Sequence, residues 1–136
     1  NRMKPGTVIL IRDHQVSEIK KKPKYFILLN YQRAEKFIAL MTTSQQNGRK
    51  DVEGCHAEYN FYYSPASKQS TNWFHENTWI LFYKLYEFKR GFLDDGIDSG
   101  KIKICTDLND HFTRAIINCV KKSDDYDLTY DWYFEN

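Results

Sequence analysis

Three groups of residues carry side chains that can act chemically on a phosphate. His14 exchanges a proton near neutral pH, and the run Lys20-Lys21-Lys22 presents three ammonium groups. Thr43 and Ser44 end an apolar stretch, where hydroxyl and backbone N–H groups can donate hydrogen bonds to an anion. Each group also has an ordinary structural interpretation: a packed histidine, a solvated loop and a polar strand end. The residue types alone leave both interpretations open.

Aromatic residues form 16% of the 136-residue chain, which is unusually high. The groups Tyr59–Tyr63 and Trp73-Phe74 fall in the long segment that follows Ser44. Bases of single-stranded RNA stack on such rings, whereas a small β domain buries them in its core. We expect at least half of them to be core residues. Trp73 and the nearby His75 are candidates for RNA contact.

The net charge of +2 is unevenly distributed. Up to Lys122 the chain holds all twenty Lys and Arg residues and thirteen acidic residues, a charge of +7, whereas residues 123–136 carry −5. A basic body favours a polyanionic partner such as nucleic acid. The simpler interpretation is a solvated surface with a tail that aids solubility. We therefore divide the chain into a domain, residues 1–122, and an acidic aromatic tail, residues 123–136, which packs on the domain or masks a basic groove.

Length, hydropathy and cysteine content exclude several classes of protein. A chain of 136 residues is one domain, and it has no apolar run of the roughly 18 residues that cross a bilayer. The first residues show no apolar signal segment. Three cysteines without a CxxC pair predict reduced thiols in a cytoplasmic protein, and His56 beside Cys55 lacks the second pair that a metal site needs.

The apolar pattern predicts about six short strands followed by one helix. The predicted strands are Thr7–Ile11, Lys24–Asn30, Lys36–Thr42, Cys55–Tyr63, Thr78–Tyr86 and Lys101–Cys105. Polar composition predicts a loop over Arg12–Lys22 and a turn region over Gly91–Gly100. The helix is predicted to begin after Thr106 or Asp107 and to bury an apolar face that includes Phe112 and Ile116. This order indicates a small antiparallel barrel covered by a C-terminal helix.

Several stretches together resemble the MazF/PemK (Kid-like) toxin family of toxin–antitoxin systems. They are Pro5-Gly6-Thr7-Val8-Ile9, Ser17-Glu18 with Lys22-Pro23 and Tyr25–Leu29, Ala39–Gln45, Glu76–Ile80 and the helix after Thr106. The resemblance covers roughly residues 5 to 122 and rests on the joint order of short motifs. Lys22 departs from it, because the family usually has arginine before the proline.

The resemblance implies an SH3-like antiparallel barrel of the MazF/PemK/CcdB type with a C-terminal helix. It also implies a sequence-specific endoribonuclease toxin that cleaves single-stranded RNA through a 2′,3′-cyclic phosphate, without metal or other cofactor. A homodimer and a cognate antitoxin are the implied partners, and no membrane is involved.

Site residues are transferred by position from the resemblance and from their neighbourhood. The catalytic candidates are Thr43, Ser44, Lys22, Glu18 and His14. The RNA-binding candidates are Lys20, Lys21, Lys24, Gln45, Trp73 and His75.

Two other functions remain open on the sequence. One is a non-catalytic SH3-like binding module for peptide or nucleic acid, which the lysine at position 22 favours. The other is a gyrase inhibitor of the CcdB type, although that class ends in Trp-Gly-Ile and this chain ends Trp132-Tyr133-Phe134-Glu135-Asn136.

Overall fold

The structure is a computed structural model, and it describes residues 3–135. Seven antiparallel strands form one sheet. They are β1 (Thr7–Gln15), β2 (Lys21–Leu28), β3 (Lys36–Thr43), β4 (Gly54–His56), β5 (Phe61–Ser64), β6 (Thr78–Lys89) and β7 (Ile102–Asp107). Their order across the sheet is β4-β5-β6-β3-β2-β1-β7.

Four helices and three 3₁₀ turns complete the described part of the chain. The helices are α1 (Gln69–Asn72), α2 (Arg90–Ser99), α3 (Asp110–Lys121) and α4 (Asp131–Phe134). The 3₁₀ turns are Ala57–Tyr59, Ala66–Lys68 and Leu128–Tyr130. No helix in residues 3–135 is long and apolar enough to cross a membrane.

Alternating side chains of the central strands fill a core on each face of the sheet. Val8 and its β2 partner Ile27 belong to the core that α3 covers, whereas Ile9 and its partner Phe26 belong to the core on the opposite face. Because both faces are covered, β1, β2 and β3 are apolar at nearly every buried position.

The first core lies between the sheet and α3. The helix begins after Asn109, whose side-chain oxygen accepts a hydrogen bond from the Phe112 backbone N–H at 2.8 Å. From α3, the residues buried against the sheet include Phe112, Ile116 and Val120. One amphipathic helix therefore closes this face, as the sequence pattern predicts.

The second core lies under α2. Leu93 of this helix is fully buried, and Gly96 lies so close to Ile102 of β7 that a Cβ there would be 2.3 Å from the Ile102 side chain. The helix therefore packs beside the β7 edge of the sheet.

The mainly β antiparallel fold with a C-terminal helix is confirmed, but the closed barrel is wrong. Within residues 3–135, β4 and β7 are the two edges of an open sheet and do not pair with each other. The β4 strand has only three residues before the chain enters the turn Ala57–Tyr59, and β7 is held on β1.

The predicted segment boundaries need four corrections. The single strand predicted over Cys55–Tyr63 is two strands, β4 and β5, separated by the 3₁₀ turn Ala57–Tyr59. The loop predicted over Arg12–Lys22 is mostly strand, because β1 continues to Gln15 and β2 begins at Lys21. The turn region predicted over Gly91–Gly100 is helical up to Ser99, because α2 spans Arg90–Ser99. Thr106 and Asp107 belong to β7 rather than to the helix start.

The prediction of reduced cysteines is wrong for two of the three. Cys55 and Cys119 form a disulfide between β4 and α3, and Cys105 is free. The two residues are 64 positions apart, so only the folded chain brings them together. Disulfides persist mainly in oxidising compartments, and this pairing removes the argument from cysteine content for a cytoplasmic protein.

The acidic tail packs against the first core. Tyr126, Tyr130, Tyr133 and Phe134 are partly buried there. The Arg33 guanidinium lies 4.1 Å from the centre of the Trp132 ring. Arg33 lies three positions before Lys36, the first residue of β3. The tail therefore docks near the start of this strand.

Candidate functional site

A cleft of about 210 Å³ opens where β2 begins and β3 ends. It brings together residues that are widely separated in the sequence. Its walls are formed by Pro23, Lys24, Tyr25, Thr42, Thr43, Ser44, Trp73, Phe74, His75, Glu76 and Thr78. Five predicted site residues are in this list: Lys24, Thr43, Ser44, Trp73 and His75.

The pairing of β2 with β3 sets which residues face each other in the cleft. Phe26 is the partner of Met41, and the Thr42 hydroxyl donates a hydrogen bond to the Tyr25 carbonyl at 3.2 Å. Continuing this register by one more residue places Lys24 opposite Thr43 at the strand end. Facing residues in an antiparallel pair lie on the same side of the sheet, and both Lys24 and Thr43 line the cleft.

A short turn fixes the end of β3. The Gln45 backbone N–H donates to the Thr43 hydroxyl oxygen at 3.2 Å, which leaves the hydroxyl proton free to donate to a ligand. Ser44 is exposed beside it and also lines the cleft. Gln45 is exposed but is not a lining residue, so its predicted RNA contact lies outside the cleft wall.

Aromatic residues form another part of the cleft wall. Trp73 is half-buried, with its ring centre 5.5 Å from that of Tyr25 and 5.1 Å from that of Phe74, both edge to face. The Trp73 backbone has φ 74° and ψ −44°, and the Phe74 backbone N–H donates to the Asn72 carbonyl at 2.9 Å, so Trp73 is the centre of a γ-turn that is strained for a bulky residue. Such strain, roughly 1–3 kcal/mol, concentrates at functional positions.

Lys24 is the cation of the cleft, and its surroundings destabilise its charge. Burial lowers the pKa of its ammonium group, and the positive charges of Lys22 and Arg49 lower it further. An anion placed in the cleft would relieve this repulsion. A lysine with a lowered pKa also releases its proton more readily than an ordinary one.

His14 and Lys22 do not line the cleft. They are partners in the β1–β2 pairing, on the part of β2 that extends beyond the end of β3. The His14 ring packs edge-on against Phe26 at 5.0 Å and Tyr86 at 5.7 Å. Burial lowers the pKa of His14, followed by the charges of Lys84 and Lys24.

The other predicted residues of the β1–β2 connection are on the surface. Glu18 and Lys20 lie in the exposed segment 16–20, and Lys21 is exposed at the start of β2. None of the three lines the cleft. These three residues therefore do not share the cleft with Thr43 and Ser44, as their predicted roles require.

Three residues near the site were not predicted from the sequence. Glu76 lines the cleft next to His75. Because it follows this predicted site residue directly in the sequence, it could have been predicted as well. Arg49 and Lys84 approach Lys24 and His14 only through the fold, and no local pattern marks them.

Comparison with known proteins assigns no family to this chain. No protein-family model matches the sequence, and no curated protein matches it significantly. The function is therefore inferred from the residues of the cleft and from the resemblance described above.

Proposed function

We propose that this chain is an endoribonuclease toxin of the MazF/PemK type that cleaves single-stranded RNA in the cleft between β2 and β3. The observation that supports it best is that Lys24, Thr43, Ser44 and Trp73 line one cleft. Cations and hydroxyls suit a phosphate, and a half-buried aromatic ring suits an unpaired base. The mainly β sheet covered by a C-terminal helix agrees with the order of elements that the resemblance implies.

The reaction is a transesterification at one phosphate. The 2′-oxygen forms a bond to phosphorus as its proton leaves to a base, and the bond from phosphorus to the 5′-oxygen breaks as that oxygen takes a proton. The products are a 2′,3′-cyclic phosphate and a 5′-hydroxyl. No cofactor enters this scheme.

The cleft supplies a group for each part of the reaction. His75 and Glu76 are the acid–base side chains in its wall, and His75 is the base in this proposal. The Lys24 ammonium stabilises the charge that builds on the phosphorane and donates the proton to the leaving oxygen. Thr43 and Ser44 donate hydrogen bonds to the non-bridging oxygens. In this proposal His75 and Lys24 take the acid–base roles that the sequence predicts for Glu18 and His14.

The proposal includes the partners that the resemblance implies. They are single-stranded RNA as substrate, a second copy of the chain in a homodimer, and a cognate antitoxin. A cytoplasmic location is also part of it. Since reducing conditions would open the Cys55–Cys119 disulfide, the reduced protein must retain cleavage if the toxin acts in the cytoplasm.

The decisive experiment is incubation of the purified protein with 5′-labelled single-stranded RNA in EDTA, with and without dithiothreitol. We expect fragments that end in cyclic phosphate. Thr43→Ala and Lys24→Gln should each lower the cleavage rate about 10²-fold or more, because each removes a donor to the reacting phosphate. Lys21→Gln is the matched control, since Lys21 lies on the same strand but outside the cleft.

Two results would reject the nuclease. Cleavage that is unchanged in both cleft variants would assign the activity to a contaminant or to another site. RNA binding without cleavage of any tested sequence would favour the second candidate, a non-catalytic binding module. The observation that favours this alternative is that Lys22 and Glu18, two predicted catalytic residues, lie outside the cleft wall.

A further inference from the structure

We propose that five basic residues beside the cleft form a second phosphate-binding subsite. It holds one backbone phosphate of an RNA molecule while the neighbouring nucleotide of that RNA lies in the cleft. These residues are His14, Lys22, Lys24, Arg49 and Lys84, and they are called the basic cluster below. The identity of the polyanion as RNA rests on the proposed function. The existence of the subsite rests on the arrangement of the cluster itself.

Neighbouring strands bring the cluster together on one side of the sheet. Lys22 and Lys24 are two residues apart on β2, so their side chains leave the strand on the same face. His14 of β1 is the pairing partner of Lys22. That face also carries Phe26, against which the His14 ring packs.

The β6 strand and the segment after β3 add the remaining cations. The Lys84 ammonium lies 4.4 Å from the centre of the Tyr86 ring, and this ring lies 5.7 Å from the ring of His14. Arg49 belongs to the segment after Thr43, where its guanidinium donates to the Gln45 carbonyl at 3.1 Å. Trp79 holds the same segment against the sheet through a 3.0 Å hydrogen bond from its indole N–H to the Lys50 carbonyl.

Among residues 3–135, no carboxylate forms an ion pair with this cluster. The ion pairs at 4.0 Å or less involve Lys36, Lys68, Arg90 and Lys101, and none involves a member of the cluster. The neighbouring acid Asp13 is paired with Lys101 at 3.9 Å. The basic groups instead act on one another: in addition to burial, which is the larger cause, Lys22 and Arg49 lower the pKa of Lys24, and Lys84 and Lys24 lower that of His14.

An unneutralised group of converging cations is the arrangement that a polyanion stabilises. Each lysine or arginine that contacts a phosphate releases condensed counterions, so the contact appears in the salt dependence of binding. His14, whose pKa is lowered, contributes a ring N–H donor more than a charge near neutral pH.

Lys24 connects the two sites, because it lines the cleft and belongs to the cluster. An RNA strand that places one phosphate against Lys24 and Thr43 can therefore continue across the basic cluster. Arg49 and Lys84 lie outside the cleft wall, so they report on the subsite without touching the reacting phosphate.

The test uses a fluorescently labelled 12-nucleotide RNA that is fully 2′-O-methylated, which binds but cannot react. Its affinity is measured by anisotropy between 50 and 300 mM KCl. Lys84→Gln and Arg49→Gln should each weaken binding about 3- to 10-fold at 100 mM and reduce the slope of log K against log salt by about 0.7. Lys89→Gln is the control, since it removes an exposed lysine from the far end of the same β6 strand.

The outcomes separate the subsite from the nuclease. If Lys84→Gln and Arg49→Gln match Lys89→Gln in slope and affinity, or if the wild-type protein does not bind the oligonucleotide, the subsite is wrong. Cleavage lost in Thr43→Ala would still support the nuclease. If the slopes fall as expected but no RNA is cleaved, the subsite stands as a nucleic-acid contact and the proposed nuclease fails.

Discussion

Cys55 and Cys119 are joined by a disulfide that ties the edge strand β4 to the helix α3, with their Cα atoms 5.6 Å apart. Cys55 is exposed, whereas Cys119 is 1% exposed within the first core. The bond closes the chain across 64 residues, a span that includes Trp73 and Phe74 of the cleft wall and the strand β6. It therefore restricts the unfolded chain far more than a local cross-link would.

Removing this disulfide should destabilise the protein without disturbing the core. Cys55→Ser replaces the exposed partner, so the substitution itself costs little. We expect the free energy of unfolding to fall by about 2–4 kcal/mol, since loop closure over this length contributes roughly 4 kcal/mol in the chain-entropy model. Urea unfolding of oxidised wild type and variant measures the difference.

Cys105→Ser is the control for this prediction, because Cys105 is free. It should leave the free energy of unfolding within about 0.5 kcal/mol of the wild type. Adding dithiothreitol should bring the wild type down to the stability of Cys55→Ser. Equal stability of oxidised wild type and Cys55→Ser would show that the bond does not form in solution.

The central strands can be predicted from the sequence, because burial on both faces of the sheet makes them apolar. Helix α2 does not, since Asp94-Asp95-Gly96 has the composition of a turn. Leu93 fits the second core and Gly96 fits against Ile102, and these tertiary contacts stabilise the helix. Local composition cannot reveal such a contact.

The candidate site shows a similar division between local and tertiary information. The sequence places hydroxyls at the end of one strand and lysines around Pro23, but it cannot say which lysine faces them. The register of β2 against β3 selects Lys24, because β3 ends at Thr43 and Lys22 lies beyond that end. The same limit hides Arg49 and Lys84, whose positions depend on the path of the chain after β3 and on β6.

Gly6→Ala should be strongly destabilising. Gly6 has φ +94°, and an added Cβ would lie 2.5 Å from the Thr113 hydroxyl and 3.2 Å from the Leu108 carbonyl oxygen. Both the backbone conformation and the contact are unfavourable, so we expect a loss of at least about 2 kcal/mol. Thermal and urea unfolding provide the measurement.

Gly91→Ala is the matched control, because nothing lies within 4 Å of its Cβ position in α2. It should be neutral or stabilising by up to about 1 kcal/mol, as alanine is the better helix former. A Gly6→Ala protein as stable as Gly91→Ala would contradict the close approach of the first turn to α3.

Truncation after Ser123 should lower stability but leave the cleft intact. The truncation removes Tyr126, Tyr130, Tyr133 and Phe134, which cover part of the first core. Since a fully buried aromatic side chain contributes roughly 1.5–3 kcal/mol, the loss should exceed about 2 kcal/mol even for partly buried rings. Chemical unfolding of the full-length and truncated proteins gives the value.

RNA binding tests the position of the tail independently of stability. The tail docks at the start of β3, about 23 Å along the strand from Thr43. The truncated protein should therefore bind the 2′-O-methylated oligonucleotide with nearly wild-type affinity, apart from a small gain from the loss of five acidic residues. A gain of tenfold or more at 300 mM KCl would instead show that the tail covers the binding surface.

Alkaline pH should destabilise the docked tail through its tyrosines. Burial raises the pKa of Tyr130 to about 12, and its 2.8 Å hydrogen bond to the Glu87 carboxylate contributes to the shift. Burial and Asp131 raise the pKa of Tyr126 as well. Because the folded state favours the neutral phenols, their contribution to stability is complete below the ordinary pKa near 10 and is lost as pH rises to about 12.

The free energy of unfolding, measured with urea between pH 9 and 12, should therefore fall above pH 10. Tyr130→Phe should show a smaller fall, since phenylalanine cannot ionise. Tyr83→Phe, at a position 63% exposed, is the control and should follow the wild type. All three proteins should carry Cys105→Ser, which prevents the free thiolate from exchanging with the disulfide at high pH. If Tyr130→Phe shows the same fall as the Tyr83→Phe control, the Tyr130–Glu87 contact does not restrain the tail in solution.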